Sequence, residues 1–278
     1  RWRVPVTLEP RGVYRVSFWA RRLPGAAGGL LITGPEFANR DFAGTAEWQQ
    51  YSFAFRVPED QPETTLHFGQ WHVNGSVEYD DIALYRVMPL HLTEDGIELG
   101  AGEQIDGTHF SAVHDLAWDG STSCRFLEKQ GAGFNSNRWL LSAGSEVVYR
   151  HQVPGRTFAS ATANVSIGHY TGGTLVVEAS VDGQEWLPAG SANSVTSVDC
   201  AIPSRLLPAD VVFVRLRFEP ETPLQGGLQV YGYRFDAELD TPVTPSRRGA
   251  TQLWGIIEQT PELPLRLAGA RLACFPTD

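Results

Sequence analysis

Apolar and polar residues alternate with a period of two through most of this chain, and no stripe of helical period extends beyond about two turns. Such a pattern suits half-buried strands and leaves no material for a helical layer. In residues 13–22 (VYRVSFWARR), Tyr14, Val16, Phe18 and Ala20 share one face, while Arg15, Ser17, Trp19 and Arg21 share the other. Residues 51–57 give an inward set of Tyr51, Phe53, Phe55 and Val57. In residues 77–87, alternation puts Glu78, Asp80, Ile82 and Leu84 on one face and Tyr79, Asp81, Ala83 and Tyr85 on the other. The fold class expected is all-β, with very little helix.

A second block repeats the style. Residues 174–190 read as a strand, an Asp182-Gly183 turn and a return strand, a strong hairpin signal. Residues 211–218 put Val212, Val214, Leu216 and Phe218 inside with Arg215 and Arg217 outside, and Tyr231, Tyr233 and Phe235 follow in phase. Periodicity is then lost in a tract containing Pro242 and Pro245. The division expected is a first sandwich over 1–88, a second over 89–240 and a linker over 241–249. The remainder, 250–278, either opens a further module or folds back on the second block. Two β-sandwiches in tandem, most simply jelly rolls, account for this order.

Composition supports two cores: 42% of the 278 residues are hydrophobic, and roughly 150 residues make a domain. Lys and Arg number 22 against 32 Asp and Glu, a net charge of -10 that repels a phosphate backbone or an anionic membrane. Nucleic acid is therefore not an expected partner. No apolar run approaches the roughly 20 residues of a membrane span. The chain opens at Arg1 without an initiator Met or a signal peptide, so it is expected to belong to a longer precursor with neighbouring domains.

No nucleophile elbow, P-loop, dinucleotide fingerprint or HExxH motif is present. Cys124, Cys200 and Cys274 are far apart; Cys124 and Cys200 are either bridged or buried free thiols. His67 and His72, five apart near one strand, point to opposite faces and make a poor shared metal site. Asp80 and Asp81 likewise face opposite ways, which disfavours a paired-carboxylate hydrolase. Asp80, on the face of Ile82 and Leu84, is expected to be mostly buried at the mouth of the core. There it needs either loop amides or a structural calcium.

The order YRVSFWAR (14–21), TAEWQQYSFAFRVP (45–58), TTLHFG (64–69) and EYDDIALY (78–85) resembles the strand sequence of jelly-roll carbohydrate-binding modules of families four, nine and twenty-two. The early Asn/Glu strand that helps hold calcium in that family has no counterpart here. Block two, through EASVDGQEW (178–186) and VRLRF (214–218), is similar to galactose-binding-like, discoidin-type sandwiches. The resemblance implies a non-catalytic glycan-binding protein, secreted or at the cell surface, in which aromatic faces stack on sugar rings. It implies that the position of Trp19 lines the binding face and that Trp48 packs in the core. By alternation Leu66 and Phe68 point inward, leaving His67 and Trp71 outward. Trp19, Arg21, His67 and Trp71 form the candidate sugar site, provided that the two indoles share a groove. The alternative is an adhesive spacer whose sandwiches make protein contacts. Trp118, Trp139 and Trp186 read as core or hairpin-packing residues.

Overall fold

A computed structural model describes residues 2–221, 226–258 and 266–267; Cys274 lies outside them. Strand is the dominant element, as the alternation requires, and the described helical segments are three short 3-10 turns. The first unit is built from β1 (Trp2–Thr7), β2 (Val13–Arg22), β3 (Leu30–Gly34), β4 (Arg40–Phe42), β5 (Gln49–Arg56), β6 (Glu63–Trp71) and β7 (Val77–Glu94). One sheet has the order β1-β6-β3-β4; the facing sheet places β2 between β7 and β5. Their inner faces meet at Phe18, whose ring lies 5.5 Å from Tyr51, 5.6 Å from Phe68 and 5.6 Å from Tyr79. Aromatic pairs at such separations contribute about 0.5–1.5 kcal/mol each beyond their buried area.

The second unit continues with β8 (Ile97–Leu99), β9 (Glu103–His114), β10 (Leu127–Gln130), β11 (Gly133–Asn135), β12 (Arg138–Leu141), β13 (Glu146–Gln152) and β14 (Phe158–Gly172). It ends with β15 (Thr174–Ser180), β16 (Leu187–Ala192), β17 (Thr196–Ala201), β18 (Val211–Glu219) and β19 (Gly227–Arg248). A sheet ordered β10-β13-β18-β15-β16 packs against one ordered β11-β12-β19-β14-β17, with β9 on β19. The expected hairpin is β15–β16, and the Asp182 carboxylate closes its turn by accepting from the amides of Gln184 and Glu185. Cys124 and Cys200 are both buried free thiols.

Three expectations are corrected. Residues 241–248, read as a linker, extend β19: Val243 pairs with Gly107 and Arg248 with Gln104. Pro242 and Pro245 break the alternation, but each sits within a register shift, where a strand tolerates a missing N–H. Residues 251–258 form β20 (Thr251–Glu258), which pairs with β7 and so joins the first unit's sheet instead of the second block or a further module. Tyr231 is not in phase with Tyr233: Ser166 opposes Gly232 and Ile167 opposes Val230, so a bulge at Tyr231 turns that ring outward.

The units are tied together by main-chain acceptors of the second unit. Arg40, only 5% exposed, donates to the carbonyls of Ala117, Trp118 and Ser136 and to the Ser121 hydroxyl, over the Phe134 ring. Burial lowers its pKa to about 10. Arg56 donates to the carbonyls of Leu127, Ser123 and Cys124. The amide of Ala54 on the β5 edge donates to the Asp119 carbonyl at 2.8 Å, so the second unit covers an edge that would otherwise be a template for strand addition.

Candidate functional site

β2 carries the candidate residues because its Val16, Phe18 and Ala20 are buried in the core, which turns Ser17, Trp19 and Arg21 to the outer face of that sheet. On this face Trp19 lies between Gln50 of β5 and Asp80 of β7, its two cross-strand partners. Arg21 lies beside Glu78 and binds it through Nε at 2.8 Å and Nη2 at 2.7 Å. Its guanidinium also covers the Trp48 ring, 4.7 Å from the ring centre. Trp19 is 36% exposed and Trp48 37%. Trp48, read as core, is therefore a surface ring: it precedes β5 by one residue and extends the outer row beside Arg21. Its missed signal was parity, because Tyr51 inward makes Gln50 and then Trp48 outward.

Asp80 is exposed rather than mostly buried. The cause is a β-bulge. Ser17 opposes Ala83 and Trp19 opposes Asp80, so Phe18 faces two residues, Asp81 and Ile82, with Asp81 at φ 47°. The extra residue reverses parity, sending Tyr79 into the core and Asp80 out beside Trp19. The Asp80 carboxylate accepts from the Asp81 amide and otherwise faces solvent, which removes the burial argument for calcium. Among the described residues no three His, Cys, Asp or Glu side chains converge as a metal site.

His67 and Trp71 belong elsewhere. Phe68 meets Phe18 across the core, so His67 and Trp71, of the opposite parity on an unbroken β6, project from the far side of the sandwich. Trp19 and Trp71 therefore share no groove. His67 is 6% exposed, with Nε2 2.8 Å from the Asn39 amide oxygen. Asn39 in turn donates to Asn135 of the second unit, so this part of the outer face is roofed by the junction. Trp71 is 54% exposed and meets His72 edge-on at 4.6 Å. Of the four candidate residues, Trp19 and Arg21 come together, joined by Trp48, Gln50 and Asp80. Trp139 is fully buried in the second core, and Trp186 is half-buried against Arg215.

No family model matches the sequence, and no curated protein matches it. Among solved structures the chain is similar to the N-terminal CBM22-1-CBM22-2 tandem domain of Paenibacillus barcinonensis Xyn10C, at 9% identity over 84% of this chain and 82% of that one, with a TM-score of 0.26. It is also similar to the ANX1 ectodomain of Arabidopsis thaliana, at 7% identity over 86% and 81%, TM-score 0.28. An allantoicase matches at 10% identity over 82% and 76%, TM-score 0.23.

Proposed function

We propose that the chain is a non-catalytic glycan-binding protein of the cell surface or exterior, holding a polysaccharide on the outer face of the β5-β2-β7 sheet. The observation that carries this reading is the row Gln50, Trp19 and Asp80 with Trp48 beside it. Two part-exposed indoles on one sheet face offer apolar platforms for the CH faces of pyranose rings. Gln50 and Asp80 flank Trp19 with an amide and a carboxylate that reach ring hydroxyls. Arg21, pinned between Glu78 and Trp48, holds the second platform in place. Glu78 is engaged by Arg21 through two contacts, which supports a holding rather than a hydrolytic role for this face.

Retention on insoluble polysaccharides tests the proposal. Trp19→Ala should abolish retention with little change in melting temperature, because truncating a part-exposed ring leaves no closed cavity. Retention equal to that of the unaltered protein would overturn it. The arginine-sealed junction favours a second reading, a stiff adhesive spacer, and that reading gains if no polysaccharide retains the protein.

A further inference from the structure

Between the two units lies a cleft of about 640 Å³, at the opposite end of β5 from Gln50 of the Trp19 row and within the range of small-ligand sites. One wall comes from the end of the first unit, where Arg11 pairs with Glu59 at 2.8 Å. The other is the outer face of the second unit's β10-β13-β18 sheet and the adjoining hairpin, with Lys129 paired to Glu146 at 2.5 Å. Trp186 and Phe213 line this wall and are each half-buried. Trp186 is backed by the Arg215 guanidinium, 4.3 Å from its ring centre, and Arg215 is itself fixed by Glu178 at 2.8 Å.

The chemistry of the walls selects the ligand. Arg11, Lys129 and Arg215 are each answered by a carboxylate of their own unit, and Arg56 is held by main-chain carbonyls. An anionic ligand would have to break an existing contact and would also meet Asp60, Glu128 and Asp182. A hydroxyl can donate to a carboxylate and accept from a guanidinium or ammonium without breaking either. Two rings at the same site supply the apolar contact. The walls are also held at a fixed separation, because Arg56 crosses from the cleft's first wall to the Leu127 carbonyl of the second. A site formed in advance loses less ordering entropy on binding. We propose that this cleft is a second carbohydrate subsite, taking a short neutral oligosaccharide between the two units. Its class of ligand rests on the glycan-binding reading; its position does not.

Intrinsic fluorescence titration of the whole chain with cellotriose, xylotriose, mannotriose and trigalacturonate tests the proposal, using Trp19→Ala as the parent so that the sheet face is silent. The parent should bind at least one neutral trisaccharide in preference to trigalacturonate. Trp186→Ala in that background should weaken binding by roughly tenfold, the loss of one stacked ring, and Trp186→Tyr should restore most of it. Melting temperatures check that each variant is folded; should Trp186→Ala not fold, Phe213→Leu replaces it with the same expected loss. Failure of the parent to bind any neutral trisaccharide, equal binding by Trp186→Ala, or preference for trigalacturonate overturns the cleft assignment. Failure of the sheet-face reading is seen separately, as equal retention of Trp19→Ala and the unaltered protein on insoluble polysaccharide.

Discussion

Acidification should destabilise the second unit through a histidine that its core keeps neutral. His114 is 3% exposed, and its Nε2–H donates to the Ser121 carbonyl at 2.9 Å. Its Nδ1 then accepts from the Tyr149 hydroxyl at 3.0 Å, and that oxygen accepts from the Trp139 indole N–H at 2.8 Å. A proton on Nδ1 would oppose the Tyr149 O–H, which has no second acceptor along this chain of bonds. Burial accordingly lowers the His114 pKa to about 4. Between the ordinary value of 6.5 and about 4 the unfolded chain takes up a proton that the folded core refuses. The stabilisation is therefore complete above 6.5 and is lost as pH falls toward 4. About two and a half pH units at roughly 1.4 kcal/mol each amount to about 3.5 kcal/mol, of which about 3 kcal/mol is lost by pH 4, where the folded His114 is itself half protonated. His151, also in this core, is shifted in the same direction, whereas buried Glu103 is raised and works in the opposite sense. Urea unfolding of the protein and of His114→Gln at several pH values between 4 and 7 separates the His114 contribution. Gln keeps one donor and one acceptor but does not titrate. The stability difference between the two proteins should shrink or reverse by about 3 kcal/mol across that window. A difference independent of pH would refute the argument.

Arg40→Met should destabilise the protein by about 2–4 kcal/mol in urea, because the carbonyls of Ala117, Trp118 and Ser136 all lose a donor at a buried junction. A change below about 0.5 kcal/mol, the range of surface substitutions, would mean that water replaces it freely. Asp81→Gly should be neutral or stabilising by up to about 1 kcal/mol and Asp81→Val destabilising by about 1–2 kcal/mol, since the bulge holds residue 81 at positive φ. Thermal melts that ranked the two variants the other way would contradict the bulge. Gly29→Ala should cost more than about 2 kcal/mol, because its Cβ would lie 2.1 Å from the Trp71 carbonyl oxygen at φ +58°; an unchanged melting temperature would exclude that close approach.

The strand core was legible wherever alternation runs unbroken. Val16, Phe18 and Ala20 of β2, Tyr51, Phe53 and Phe55 of β5, and Val212, Val214, Leu216 and Phe218 of β18 are all buried as read. Alternation fails at bulges, because one extra residue exchanges the two faces for everything beyond it. That single event accounts for both Asp80 and Tyr231. The Asp80 bulge has no glycine to mark it. The Tyr231 bulge is flanked by Gly232 and faces Gly168, where a Cβ would lie 2.5 Å from the Tyr231 ring, so glycines inside the strand pattern were its signal. His67 shows a different limit. Its parity was right, but which outer face meets solvent depends on where the second unit docks, and that is decided by residues such as Asn39 and Asn135 nearly a hundred positions apart.

The same docking explains why the two halves, although each has its own hydrophobic cluster, act as one body. Leu8 to Leu84 supply one cluster and Ile97 to Val243 the other. β7 nevertheless runs through Met88 and Pro89 without interruption, pairing with β2 in one direction and with β8 in the other. β20 then returns from the end of the second unit to pair with β7 at the point between them. A hinge at Met88 would have to break the β7–β20 ladder and withdraw Arg40 and Arg56 from their carbonyls at the same time. The cost of exposing those buried guanidinium contacts together keeps the angle between units fixed, and with it the separation of the cleft walls. A ligand bridging Arg11 and Lys129 would therefore meet a distance set in advance by Arg40, outside the cleft, and by Arg56, on its wall.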